Sequence, residues 1–172
     1  DIAERFNQVH PNTFTVPEPI ISQSGKKIMS LADPTKKMSK SDENPNACIF
    51  ILDEPDVIIR KFKRAVTDSD AVVRYDIDAK PGISNLMSIY SVVTGKDYAE
   101  IEREFDGKGY GDFKLAVGEA CADGLQGVRD EFARLIADKK YLEDVMKMGA
   151  QDAYGYARRT MSKVRRKIGF VN

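Results

Sequence analysis

Several features are scarce in this 172-residue sequence, and each shortage removes a class of protein. The two cysteines, Cys48 and Cys121, lie far apart without CxxC spacing, and the single histidine, His10, precedes a proline. The residues therefore show no metal-ligating pattern, and we predict two buried, reduced thiols, which suit the cytoplasm. No apolar run approaches membrane-spanning length, and the opening residues do not resemble a signal peptide. We expect no membrane partner.

Net charge is also missing, because 27 basic side chains balance 27 acidic ones. The charges are unevenly placed, however: between Ala153 and Asn172 there is no aspartate or glutamate. A segment of one sign can contact nucleic-acid phosphates, but basic residues also simply favour the negative end of a helix dipole. Both interpretations stay open for the basic residues of this segment, which are Arg158, Arg159, Lys163, Arg165, Arg166 and Lys167.

The first 46 residues predict the end of an α/β unit. The stretch DIAERFNQV spaces Ile2, Phe6 and Val9 along one face of a short helix. TFTVPEP then predicts a short strand that Pro17 and Pro19 end. A helix followed by a strand is typical of the last unit of such a sheet, and residues 22–46 are rich in turn-forming residues.

After residue 46 the pattern becomes helical. DEPDVIIRKFKRAV predicts a helix with Asp53 as its N-cap, and further helices are predicted over 83–94 and in DYAEIEREFDG. Two long apolar stripes follow, over 113–135 and 142–168, and we interpret the methionines and tyrosines on them as core residues. The predicted fold is mainly α: a helical bundle appended to the end of an α/β domain.

The stretch DPTKKMSKSD, residues 33–42, is too polar to be buried. Lys37 and Lys40 would place two positive charges around one phosphate group, with Ser39 and Ser41 as hydrogen-bond donors. Met38 would lie against a flat apolar surface such as a purine ring. The run lacks the spacing of a Walker loop. Its alternative interpretation is a solvated surface loop.

Lys37-Met38-Ser39-Lys40-Ser41 matches the KMSKS signature of class I aminoacyl-tRNA synthetases. The flanking GKKIMSLADPTKKMSKSDENPNA, with AVTDSD, KPGISNL and GKGYGDFK, resembles tryptophanyl-tRNA synthetases of the bacterial type. The resemblance implies ATP-dependent formation of tryptophanyl-adenylate, with Mg²⁺ accompanying ATP, followed by transfer to tRNA(Trp). It implies that Lys37 and Lys40 bind the ATP phosphates and assist pyrophosphate departure. It also implies nucleotide contacts for Ile28 (through its backbone), Met38, Ser39 and Ser41, and a homodimer.

The same resemblance predicts two domains. Residues 1–45 would end the Rossmann-like catalytic domain, most of which is absent, and residues 46–172 would form the helical anticodon-binding domain. The family's HIGH-type signature has no counterpart here, and His10-Pro11 does not fit it, so we expect the C-terminal half of the enzyme, inactive alone. The alternatives are a tyrosyl-tRNA synthetase, a non-catalytic helical RNA-binding module, and a purely structural chain.

Overall fold

The computed structural model describes residues 1–21, 25 and 27–170. Within these residues the chain forms six α-helices and one isolated antiparallel bridge, between Met29 and Lys37. The predicted mainly α class is confirmed. The helices are α1 (Ile2–Val9), α2 (Pro55–Lys63), α3 (Pro81–Thr94), α4 (Tyr98–Glu104), α5 (Tyr110–Ala137) and α6 (Lys139–Lys167).

The chain divides into two compact units, Asp1–Ile20 with Ala133–Asn172, and Ile21–Phe132. The predicted domain boundary after residue 45 falls inside the second unit and stays a prediction.

In the first unit, side chains hold the turn that follows α1. The carboxamide of Asn7 donates to the Phe14 carbonyl oxygen at 2.8 Å and accepts from the N–H groups of Thr13 and Phe14. The Lys167 ammonium, at the end of α6, donates to the Thr13 hydroxyl at 2.8 Å and to the Pro11 carbonyl. The two ends of this unit are therefore joined by hydrogen bonds.

The prediction of a strand in TFTVPEP is wrong. Residues 13–19 carry no strand pairing, and among the described residues no neighbouring strand lies beside them. Pro17 and Pro19 have no N–H to donate, so this segment offers few groups for a ladder.

The second unit contains the apolar core. Helix α3 contributes most to it, with Ile83, Leu86 and Met87 at most 1% exposed. The rings of Tyr90, Phe105 and Phe113 pack edge to face, with centroids 4.9–5.9 Å apart. Edge-to-face packing of this kind stabilises a core by more than the burial of apolar area alone would.

Helices α2 to α4 lie where the sequence predicts helices, with one different cap and different bounds. Asp53 is not the N-cap of α2: Glu54 is, and the Asp53 carboxylate instead accepts from the buried Lys61 at 2.6 Å. Helix α3 begins at Pro81, because proline fits the first turn of a helix. Helix α4 has a capping box, in which Asp97 and Glu100 each accept from the other's backbone N–H.

The two long helices bury less of their apolar stripes than predicted. In α5, Phe113 and Val117 are fully buried, and Gly118 lets α2 approach so closely that an added Cβ would lie 2.9 Å from the Ile59 Cα. In α6, however, Met146 is 64% exposed and Tyr156 87% exposed. Their interpretation as core residues is therefore wrong, because in the described part of the chain nothing covers that face.

Among the described residues, no helix combines the length and apolar character that crossing a membrane requires.

Candidate functional site

The KMSKS stretch is carried on a stem whose two sides pair with each other. Met29 faces Lys37 across the antiparallel bridge. On either side of that pair, the Ser30 N–H donates to the Lys36 carbonyl at 2.8 Å, and the Met38 N–H donates to the Ile28 carbonyl at 3.0 Å. The first signature lysine thus sits at the paired base of the loop.

The turn above the stem is built around Asp33. Its carboxylate accepts from the Thr35 hydroxyl at 2.6 Å and from the Thr35 N–H at 3.1 Å, and it pairs with the Lys36 ammonium at 3.0 Å. The Thr35 hydroxyl, then Lys36 and the Thr35 N–H, lower the pKa of Asp33 from 3.8 to about 2. Lys36 is therefore a structural cation of this turn.

Lys37 and Lys40 differ from Lys36. Both are exposed, and in the described part of the chain neither ammonium group makes a hydrogen bond or an ion pair. A compact, unpaired ammonium on an exposed loop is free to bind an incoming phosphate. The two lysines that the motif predicts to bind phosphate are therefore the two whose ammonium groups are available to a ligand.

The other signature side chains have mixed surroundings. Met38 is partly buried and packs against the apolar core of its own unit, together with Ile28. The Ser39 hydroxyl oxygen accepts from the Ser41 N–H at 3.2 Å, which stabilises a second turn, residues 39–42, called the outer turn below. Both serines are exposed. Nucleotide contacts for Ile28, Met38, Ser39 and Ser41 stay predictions.

The basic residues near the chain end are brought together on the last turns of α6. Arg158, Arg159, Lys163 and Arg166 line a hollow of about 880 Å³, and Arg165 is exposed outside it. Lys167 is different, because its ammonium is engaged with the turn after α1. The patch available for a ligand thus has five cations.

Sequence reasoning missed a polar cluster that joins the stretches AVTDSD, KPGISNL and GKGYGDFK. The Tyr110 hydroxyl oxygen lies 2.6 Å from Asp68 Oδ1 and 2.9 Å from Asp70 Oδ1, so the two carboxylates share its one proton. The Lys80 ammonium pairs with both carboxylates. The bond from Lys80 lowers the pKa of Asp70. The cluster fixes the loop before α3 to the start of α5. The three stretches are singled out by their resemblance to the family, but nothing in their sequences indicates that these side chains meet.

In residues 1–21, 25 and 27–170, no three histidine, cysteine or acidic side chains converge as a metal-ligand set.

The family model described as "tRNA synthetases class I (W and Y)" matches residues 1–126, well over half of the sequence. The chain belongs to this family. Within the family, the chain is 50% identical over 171 residues to a tryptophan–tRNA ligase of Clostridium tetani, covering 99% of this chain and 50% of that protein. It is 46% identical to a tryptophan–tRNA ligase of Wolinella succinogenes, covering 99% of this chain and 52% of that protein.

Solved structures show the same class I synthetase fold. Tryptophanyl-tRNA synthetase from Mycoplasma pneumoniae superposes with a TM-score of 0.83 at 26% identity, over 99% of this chain and 51% of that one. The Campylobacter jejuni enzyme complexed with ADP and tryptophan gives 0.65 at 24% identity, over 98% of this chain and 51% of that one, which supports the fold alone. The chain spans about half the length of the relatives that it matches.

Proposed function

We propose that this chain is the part of a tryptophan–tRNA ligase that supplies the KMSKS loop and the tRNA-binding helices. The observation that carries the proposal is the difference among the three lysines: Lys36 is paired with Asp33, whereas Lys37 and Lys40 are exposed and, among the described residues, unpaired. Three relatives that are 46–50% identical to this chain are named tryptophan–tRNA ligases, which supports tryptophan as the amino acid.

In the proposed reaction, a carboxylate oxygen of tryptophan attacks the α-phosphorus of ATP, and the bond to pyrophosphate breaks. Negative charge grows on the leaving pyrophosphate as that bond lengthens. Lys37 and Lys40 stabilise this charge, which lowers the barrier because the interaction is stronger in the transition state than in the ground state. Ile28, Met38, Ser39 and Ser41 contact the nucleotide. Mg²⁺ accompanying ATP would share in neutralising the phosphates.

The second step transfers the tryptophanyl group to tRNA(Trp), with AMP as the leaving group. The cations Arg158, Arg159, Lys163, Arg165 and Arg166 contact the RNA backbone. In this proposal residues 1–45 belong to the catalytic domain and residues 46–172 to the anticodon-binding domain. The complete enzyme is a homodimer. The cytoplasm is the proposed compartment, because both cysteines are free and buried.

Tryptophan-dependent exchange of pyrophosphate into ATP tests the proposal. We expect background exchange from this chain alone, and strong exchange from an enzyme of full family length that carries it. Tyrosine in place of tryptophan should support no exchange. Tyrosine-dependent exchange would favour a tyrosyl-tRNA synthetase, and no exchange with either amino acid would favour an RNA-binding module.

A further inference from the structure

The side chain of Asn85, on helix α3, pairs with both backbone polar groups of Met29. Its amide nitrogen Nδ2 donates to the Met29 carbonyl at 2.8 Å, and its oxygen Oδ1 accepts from the Met29 N–H, also at 2.8 Å. Asn85 is 6% exposed, so its carboxamide has little access to water that could replace Met29 as its partner. A single buried side chain thus binds one residue of the KMSKS stem at two points.

Bridge geometry explains why Met29 needs such a partner. Met29 and Lys37 are opposed without sharing hydrogen bonds, since the bonds that flank them run from Ser30 to Lys36 and from Met38 to Ile28. In this arrangement the N–H and C=O of Met29 point away from Lys37. The carboxamide of Asn85 has the donor and acceptor of a peptide group, so it takes the place that a neighbouring strand would occupy.

Helix α3 itself is firmly held. Its second residue, Gly82, passes so close to the loop after α2 that an added Cβ would lie 2.2 Å from the Val66 carbonyl oxygen. The Val66 N–H in turn donates to the Leu31 carbonyl, at the end of the stem, at 2.8 Å. The stem is therefore bound to α3 directly through Asn85 and indirectly through Val66.

We infer that Asn85 is a positioning residue for adenylate formation. It fixes the strand opposite Lys37 to the rigid α3, and so sets where Lys37 and the loop beyond it stand when pyrophosphate departs. Asn85 touches no substrate in this role. The inference rests on the proposed function, because it assigns to Asn85 the placement of the cations that act there.

Three variants of an enzyme of full family length that carries this chain test the inference. Asn85→Ala removes both bonds to Met29, and we expect kcat for tryptophan-dependent exchange to fall by about 10- to 100-fold, since small misplacements of a catalytic group have effects of this size. The KM for tryptophan should stay within about twofold, because its pocket is untouched. Asn7→Ala is the matched control: it removes a similar carboxamide clamp in the other unit, and kcat should not change.

Asn85→Asp separates positioning from general stability. An ionised carboxylate accepts from the Met29 N–H but repels the Met29 carbonyl, whereas a protonated carboxyl group restores both bonds. The rate of this variant relative to the unmodified enzyme should therefore rise as pH falls. The same ratio for Asn85→Ala should stay flat. A flat ratio for Asn85→Asp would overturn the inference, and this variant keeps it testable if Asn85→Ala fails to fold.

Amide hydrogen exchange at Met29, measured on the chain itself, separates failure of the inference from failure of the proposed function. Hydrogen exchange at the Met29 amide should be slow in the unmodified chain and fast in Asn85→Ala. If Met29 exchange accelerates while kcat is unchanged, or if it does not accelerate, the positioning role is overturned and the proposed function stands. If the unmodified enzyme has no tryptophan-dependent activity, the proposed function fails and the positioning role fails with it.

Discussion

Lys36, Lys37 and Lys40 have the same side chain but different surroundings. Asp33 engages Lys36, and the paired stem presents Lys37 and the outer turn presents Lys40 without partners in the described part of the chain. A phosphate that approaches this loop meets two cations whose charges are not already compensated. The carboxylate of Asp33 thus distinguishes Lys36 from the other two lysines.

The first prediction compares these lysines in an enzyme of full family length. Replacing Lys37 or Lys40 by alanine should slow adenylate formation by about 10²–10³-fold, by analogy with loss of one preorganised donor. Tryptophan binding should change little, and arginine should rescue only partly because a planar fork does not reproduce a compact charge. Single-turnover adenylate formation at saturating ATP measures this. Lys36→Ala is the control and should stay near normal; equal losses at all three positions would contradict the assignment.

The second prediction concerns the pH dependence of the Asp33 turn. Its carboxylate has a pKa lowered from 3.8 to about 2, so the stabilisation of the turn is complete above the ordinary value and is lost as pH falls through about 2. Thr35→Val removes the hydroxyl donor that contributes most, and the pKa should move back up. An NMR titration of the Asp33 carboxyl carbon and the Thr35 amide measures both. An unchanged titration in Thr35→Val would show that the hydroxyl is not the cause.

At the scale of elements, α6 has an unusual distribution of exposure for a helix of 29 residues. Val164 is its buried residue, and the basic side chains of its last turns are exposed. Part of their charge favours the carboxyl end of the helix dipole. Five cations on so few turns also form a surface that attracts a polyanion.

The third prediction is that these cations contact RNA phosphates. In an enzyme of full family length, reversing Arg158, Arg159 and Lys163 to glutamate should weaken tRNA binding. The slope of log affinity against log salt should become shallower by about 0.7–0.9 for each phosphate that the protein no longer neutralises. Binding titrations across several salt concentrations measure the slope. Lys140→Glu, at the opposite end of α6, serves as the charge control. If the slope of log affinity against log salt is the same in all variants, the basic patch is a solvated surface that does not contact RNA.

Helix positions were largely predictable from sequence, because periodic apolar residues and caps act locally. Helix α2 shows this: it lies within the predicted stretch DEPDVIIRKFKRAV, and its Ile58 and Phe62 are buried. The replacement of Asp53 by Glu54 as the N-cap was not predictable, because the Asp53 carboxylate accepts a hydrogen bond from Lys61, which only tertiary packing brings beside it. The exposure of Met146 was not predictable either, because periodicity shows which face is apolar but not whether another element covers it.

The candidate site shows the same division. Lys37 and Lys40 are identified by a short local motif. The role of Lys36 depends on its ion pair with Asp33. The residues DPT predict a turn at this place, but they do not show which of the following lysines pairs with the aspartate. Asn85 lies in KPGISNL, one of the stretches on which the resemblance is based, but its partner Met29 is 56 residues away. A hydrogen bond across such a distance leaves no periodic trace in one sequence.

At the scale of the whole molecule, the two cysteine thiols are probes for the unfolding of one of the two compact units. Cys48 and Cys121 are free, 7% and 5% exposed, and both belong to the unit Ile21–Phe132. Burial raises the pKa of Cys121 to about 12, and burial also raises the pKa of Cys48. The thiolate is the nucleophile, so both groups are protected by enclosure and by low ionisation.

The fourth prediction is that iodoacetamide labels neither cysteine of the folded chain at pH 8 and labels both together as urea unfolds this unit. Mass spectrometry of urea-titrated samples measures the two sites, with glutathione as the fully reactive control. Because the unfolded chain loses these protons at lower pH than the folded one, stability should fall as pH rises above about 8.5. Labelling of one cysteine well before the other would show that the unit does not open cooperatively.

The close approach at Gly82 has a genetic consequence. The atom that blocks a Cβ there is a backbone oxygen, which cannot rotate away as a side chain can. Every amino acid that a single base change can make from a glycine codon carries a Cβ. Each missense change that one base substitution makes at this codon should therefore destabilise this unit, and a saturation library selected for folding should be enriched in glycine here, even though the residue bears no chemical group of its own.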